Sequence, residues 1–324
     1  MANKFNNKTL VIILVILVGL FFVSRIIREK RSSGTLRRDL VHIDSSLITS
    51  ILLYPSAENG EEIIFTRTGN NWTLKKGDLS VDANNNSVQS MFSELTMLSP
   101  ERLVARNQEK WSEYGVTDSL GTRVIMKQGK KNMVDLVVGR FDYQPSPSRY
   151  RGYGNNYGSG LTYVRLYDEP EVFVVQGFLA MSFNQTFNNW RNQTFVNTNK
   201  NNITSLSFEY PVDSGFSAVK IDTIWTINGI PADSASIAQY LSNIARKSNS
   251  SFIDDFSPVT SPDFQLTIEG MDMNPVILKA YKTGENSYVL NSSQNPEAYF
   301  TSPASGLFGN VFKSKSDLIG KDNS

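Results

Sequence analysis

Trp72-Thr73-Leu74, then Val81-Asp82, then Val88, Phe92 and Leu95 form one stretch; Trp225-Thr226-Ile227, then Ala232-Asp233, then Ile237, Leu241 and Ile244 form another. The two share a plan. In each, a tryptophan strand leads through a short loop to an aspartate, and the apolar residues that follow stand at i, i+4 and i+7. That spacing predicts an amphipathic helix with one inward face. Asp82 and Asp233 read as N-terminal caps or near-caps, since a carboxylate there accepts from unpaired N–H groups at the positive end of the helix dipole. Each tryptophan reads as packing its ring on the helix rather than offering a ligand platform.

Working outward, the likeness continues in order. Ile48-Thr49-Ser50-Ile51-Leu52 is echoed by Ile203-Thr204-Ser205-Leu206-Ser207, and each opens an alternating strand, a polar turn and a second strand. After each helix the period returns to two. Thr122, Val124 and Met126 alternate up to a polar turn at 128–131, and Val134, Leu136 and Val138 return; Phe264, Leu266, Ile268, Val276 and Leu278 do the same. A further strand pair follows in each half, 162–167 with 171–176 and 287–290 with 298–301, and then a short helical segment, near 177–183 and 304–312. Residues 184–202, rich in Asn, Gln and Thr, read as the link. The expectation is an α+β chain with an N-terminal transmembrane helix and two homologous lobes, each an antiparallel sheet with a packed helix. The domains are 1–44 (cytoplasmic tail, anchor and basic juxtamembrane segment), 45–190 and 191–324.

The anchor is read from Leu10–Val23, fourteen residues without a polar side chain, continuing through Ser24 and Arg25 to Ile27. Residues 10–27 make a helix of roughly 27 Å against a hydrocarbon core of about 30 Å. A cleaved signal peptide fits less well, because no small-x-small site follows Val23. Residues 1–44 carry a charge of +5 and the rest of the chain −4. A body of that charge is a poor polyanion binder, so no nucleic-acid partner is expected. Six basic residues, Arg25 included, follow Val23 and two precede Leu10, which by the positive-inside rule favours a cytoplasmic body. The short tail before the span and the lack of cysteine favour the outside.

Chemistry is constrained by what is scarce. Without cysteine and with His42 as the lone histidine, thiolate zinc sites and cysteine nucleophiles are excluded, and no His-rich metal site can be assembled. His42 reads as a surface or packing residue. No phosphate-binding glycine motif is present. Glu61-Glu62 and Asp254-Asp255 are adjacent carboxylates that point apart on a strand, which argues against paired acid–base work or a metal. No catalytic, cofactor-binding or metal residue is therefore assigned, and no cofactor is expected. The segment between Phe141 and Gly160 has no counterpart in the second half, and Arg149, Tyr150, Arg151, Tyr153 and Tyr157 in it are the candidate partner-binding residues. The plainer reading is a solvated hairpin tip.

Trp72, Leu74, Val81-Asp82, Val88, Leu95, Leu98, Glu101-Arg102-Leu103-Val104 and Glu113-Tyr114-Gly115-Val116, in this order, resemble the bacterial DUF4340 domain family over about residues 45–185 and, more weakly, over the second half. Its members carry an N-terminal anchor, a tryptophan strand, an aspartate-led helix, an ER-x-VA-like strand and a YGL-x-x-P-like turn. Ser119 stands here where that turn ends in proline. The resemblance implies an auxiliary role in gliding-motility-type ABC transporters, with ABC transporter membrane subunits or other envelope proteins as partners. It also implies a body in the periplasm on the bacterial inner membrane, and it brings no catalytic residues. The sequence leaves two alternatives standing: an envelope hydrolase acting on glycan or peptide, and a cytoplasm-facing membrane scaffold.

Overall fold

The computed structural model describes residues 40, 41, 43–144 and 159–319. The chain is a mixed α/β protein built of antiparallel ladders and few helices. The described residues form two compact units. One comprises those up to Arg67 together with Asn86–Gln185; the other comprises Thr68–Asn85 and residues 186–319.

Strands β1 (Ser50–Tyr54), β2 (Ile63–Thr68), β3 (Asn71–Lys76) and β4 (Leu79–Asp82) precede helix α1 (Asn85–Thr96). After it come β5 (Pro100–Ala105), β6 (Thr122–Gln128), β7 (Lys131–Gln144), β8 (Ser159–Leu166) and β9 (Val172–Gln176). The sheet of the first unit runs β2-β1-β6-β7-β8-β9-β5. The second unit adds β10 (Thr194–Asn197), β11 (Ile203–Glu209), β12 (Phe216–Ile221), β13 (Ile224–Ile227) and β14 (Ile230–Pro231). Helix α2 (Ser234–Ile244), β15 (Arg246–Ser248), β16 (Phe264–Gly270), β17 (Val276–Gly284), β18 (Ser287–Ser292) and β19 (Asn295–Pro303) complete it. Its main sheet runs β14-β13-β12-β11-β16-β17-β18-β19, and β10 pairs with β15 apart from it. Six strands thus recur in one order, β2-β1-β6-β7-β8-β9 and β12-β11-β16-β17-β18-β19, and the β3–β4 hairpin has its counterpart in β13–β14.

Strand alternation sets these registers. Thr122 faces Val138, Val124 faces Leu136 and Met126 faces Val134, and all six are buried. In the second sheet Leu266 faces Leu278 and Ile268 faces Val276, again buried. A one-residue slip in either hairpin would turn these sets to the opposite face, so burial fixes the pairing. Gly129 closes the β6–β7 turn with φ +58°, a left-handed conformation that a side chain disfavours.

The helices bury the faces their spacing requires. Val88, Phe92 and Leu95 are buried on α1 and Ile237, Leu241 and Ile244 on α2, joined by Met91 and Tyr240. Trp225 shares one apolar cluster with the α2 face, and Trp72 is buried as well. Tyr240 donates to the Val311 carbonyl at 2.7 Å and so ties α2 to the C-terminal helical segment 304–311. Its hydroxyl is pushed well above its ordinary pKa by burial.

Two expectations are corrected. Asp233 caps α2, accepting from the Ser236 N–H at 2.7 Å, whereas Asp82 is the last residue of β4 and Asn84 directly precedes α1. Asn85 bonds the β3 strand instead: its Oδ1 accepts from the Trp72 N–H at 3.0 Å and its Nδ2 donates to Asn71 at 2.9 Å. The Asn-rich segment 184–202 is more than a link. Phe187, Trp190, Phe195 and Val196 in it are buried, and Phe195 and Val196 belong to the core of the second unit. Polar composition hid these anchors, because amides between them satisfy backbone groups rather than solvent.

Among the described residues no helix is long and apolar enough to cross a membrane; residues 10–27 lie outside them, as does His42.

Phe92→Ala and Leu241→Ala should each destabilise the full chain by about 2 to 5 kcal/mol in denaturant titrations. Asp233 is held below its ordinary carboxylate range by the Ser236 bonds, so its cap contributes fully above pH 3.8 and fades as pH falls below it. Asp233→Ala should therefore lower the melting temperature at neutral pH, with the gap closing on acidification through that window.

Candidate functional site

Each unit is organised around a buried arginine. In the first, Arg165 of β8 is 1% exposed. Its Nε donates to the Val116 carbonyl at 3.1 Å, Nη1 to the Tyr167 carbonyl and Nη2 to Asp118 at 3.2 Å, while its guanidinium lies 3.7 Å from the Trp111 ring centroid. Burial pulls its pKa down from the arginine range, and Asp118 opposes that. Beside it, Arg123 of β6 makes two 2.8 Å bonds to Asp135 of β7 and stacks 3.2 Å from the Tyr167 centroid. All these donors are spent inside the unit. The arrangement is a brace that fastens the turn at 114–118 to the sheet.

That brace explains the tyrosine–glycine turn. Tyr114 ends a helical turn and its ring packs 4.7 Å from that of Tyr163. Gly115 has φ +68°, and opposite it a Cβ on Gly139 would sit 2.4 Å from the Tyr114 carbonyl oxygen. Turn and strand approach too closely for side chains at these positions. A cleft of about 480 Å³ opens nearby, with Thr122, Arg140 and Phe141 in its wall and the half-exposed Leu120 and Met181 among its lining.

In the second unit, Arg191 is 2% exposed. Its Nη1 and Nη2 bond Asp254 at 2.9 and 2.7 Å, Nη1 also reaches Asn188 at 3.3 Å, and its guanidinium lies 3.7 Å from the Phe252 centroid. Its Nε is buried and has no hydrogen-bond partner among the described residues. Arg191 sits in a short segment that runs along β4: Asn192 N–H donates to the Asp82 carbonyl at 2.8 Å, and Asn84 N–H to the Trp190 carbonyl at 2.8 Å. A cleft of about 440 Å³ lies here, lined by β4, Arg191, Phe256, Glu297 and Tyr299 among others. Asn295 also lines it, its amide donating to the Asn192 and Thr194 carbonyls at 2.8 and 3.3 Å.

The sequence-derived candidates Arg149, Tyr150, Arg151, Tyr153 and Tyr157 lie outside the described residues. Neither adjacent pair of acids lies on a strand, since Glu61-Glu62 precede β2 and Asp254-Asp255 form a bend; Asp254 pairs with Arg191, and Glu62 accepts from the Tyr54 hydroxyl, whose pKa is pushed up to about 12 by burial and this carboxylate. Among the described residues no group of three or more His, Asp or Glu side chains is placed to hold a metal. Sequence reasoning missed Arg165 and Arg191. The one available signal was an arginine beside aromatic residues, Trp190-Arg191 and Tyr163-Val164-Arg165.

The two sheets, the braced turn and the arginine-centred cleft belong to a mixed α/β protein of mostly antiparallel sheets. A family model described as Domain of unknown function (DUF4340) matches residues 72–266, more than half of the chain, and the chain belongs to that family. The match reaches from β3 to β16, well past the first half. Neither a curated protein nor a solved structure matches the chain.

Asp254→Asn leaves the Arg191 guanidinium buried beside a neutral amide. Losing one partner of a fully buried pair costs about 3 to 5 kcal/mol. Because the Asp254 side chain is 41% exposed, the expected loss in equilibrium unfolding is smaller, about 2 kcal/mol.

Proposed function

We propose that the chain is a single-pass membrane protein with its body outside the cytoplasm, acting without catalysis as a binding accessory of an ABC-type transport complex. The observation that carries the membrane reading is the Leu10–Val23 run, thirteen of whose fourteen residues are Leu, Val, Ile or Phe. Each such residue favours insertion by about 0.3 to 0.6 kcal/mol, which outweighs one edge arginine at Arg25. The lack of cysteine supports an oxidising compartment, and the resemblance to the family supports the transporter and the periplasm. The shared strand order of the two sheets supports homologous lobes descended from one duplicated unit, 45–190 and 191–324. Contact with the transport subunits is assigned to Arg149, Tyr150, Arg151, Tyr153 and Tyr157, because aromatic and arginine side chains supply most interface hot spots.

The six basic residues after Val23 favour a cytoplasm-facing scaffold, and labelling separates the two orientations. Ser250 is exposed. Ser250→Cys should react with a membrane-impermeant maleimide once the outer barrier is opened; reaction only after inner-membrane lysis would place the body in the cytoplasm. Replacing residues 145–158 by a tight turn should leave membrane insertion unchanged and abolish co-purification with the transport subunits. Retained co-purification with full transport would remove the segment from the contact.

A further inference from the structure

The cleft of the second unit is lined on one side by β4, and the backbone polarity of that strand follows from its hydrogen bonds. Ala83 N–H donates to the Trp72 carbonyl at 2.9 Å, and Leu74 faces Val81 in the β3–β4 register. Residues 79, 81 and 83 therefore turn their backbone groups toward β3, and residues 80 and 82 turn theirs away. On that outer side Asp82 is already met by Asn192. There the segment from Trp190 leaves the edge, and no strand among the described residues pairs with Ser80. Ser80 thus presents an unpaired N–H and C=O to the cleft, the condition under which an edge accepts a further strand.

The side chains around it say what such a strand must carry. The terminal Nη donors of Arg191 are consumed by Asp254, and the Asn295 amide by two carbonyls. What stays open is acidic: Asp82 and Glu297 are exposed carboxylates, and Asp254 keeps part of its surface in solvent while neutralising Arg191. Phe256 and Tyr299, with ring centroids 5.3 Å apart, add half-buried aromatic surface suited to the stem and charge of a long cationic side chain. Independently, Arg191 lines the cleft with its buried Nε unpartnered, a donor able to serve a carbonyl oxygen brought by a ligand.

We propose that this cleft binds an extended peptide segment carrying lysine or arginine, which pairs with Ser80 as an added strand and sets its cation among Asp82, Asp254 and Glu297. The inference goes beyond the transporter reading and stands without it, because it concerns direct binding to the isolated protein.

The test uses the full chain in an uncharged detergent and a fluorescent, end-blocked peptide of alternating valine and lysine. Three comparisons are made: the same peptide with glutamate for lysine, the same peptide N-methylated at alternate amides, and paired variants of the protein. The lysine peptide should bind about tenfold more tightly than the glutamate peptide and weaken with salt. N-methylation, which removes the pairing edge, should cost about tenfold or more. Asp82→Asn with Glu297→Gln should weaken binding likewise, whereas Glu109→Gln with Glu285→Gln, exposed acids outside the cleft, should not. Absence of binding, equal binding of the methylated peptide, or equal loss in both paired variants would each overturn the proposal. The methylated peptide is read on the unaltered protein, so that arm decides even if a variant fails to fold.

Discussion

Taking the Arg191 guanidinium out of water is the constraint on which the second unit depends. An ion so buried is tolerated only with an opposite charge and good geometry, and Asp254 supplies both through two bonds. Holding that pair together places the Trp190–Asn192 segment along the outer edge of β4 and brings Phe252 over the cation. The cleft is what remains where that segment leaves the edge. Its acidic character has the same origin, since the one buried cation is spent on one acid and the others are left open.

The first unit solves the same problem differently. Arg165 is satisfied mostly by carbonyl oxygens and by an indole face, and Asp118 contributes from the surface. Because Val116 and Asp118 both belong to the turn that Gly115 opens, the buried charge and the glycine requirement are parts of one device. A guanidinium suits both places: five planar donors can reach several acceptors at once while both faces stack on rings, which a lysine cannot do.

Much of the architecture was legible because period-two and 3.6-residue patterns report which side chains are buried. The β6–β7 and β16–β17 registers, the α1 and α2 faces and the cap at Asp233 all follow from that. The Asp82 expectation failed because the likeness between halves stops short of the helix start: two residues intervene before α1, whereas Asp233 directly precedes α2. The site was less legible. Periodicity cannot tell a solvated arginine from Arg165 or Arg191, since their acceptors come from residues 47 to 63 positions away or from backbone carbonyls that carry no sequence signal. Nor can it tell which edge of a strand is covered, and the opening at Ser80 depends on where a segment more than a hundred residues later turns off.

Peptide binding in the second unit rests most heavily on the open edge of β4. An experimental structure of the full chain soaked or co-crystallised with the alternating valine–lysine peptide tests it most directly. The peptide backbone should pair with Ser80 and a lysine amine should lie near the carboxylates of Asp82 and Glu297, with the Arg191–Asp254 bonds intact. A peptide lodged elsewhere, or a β4 edge found covered by the chain's own residues, would contradict it.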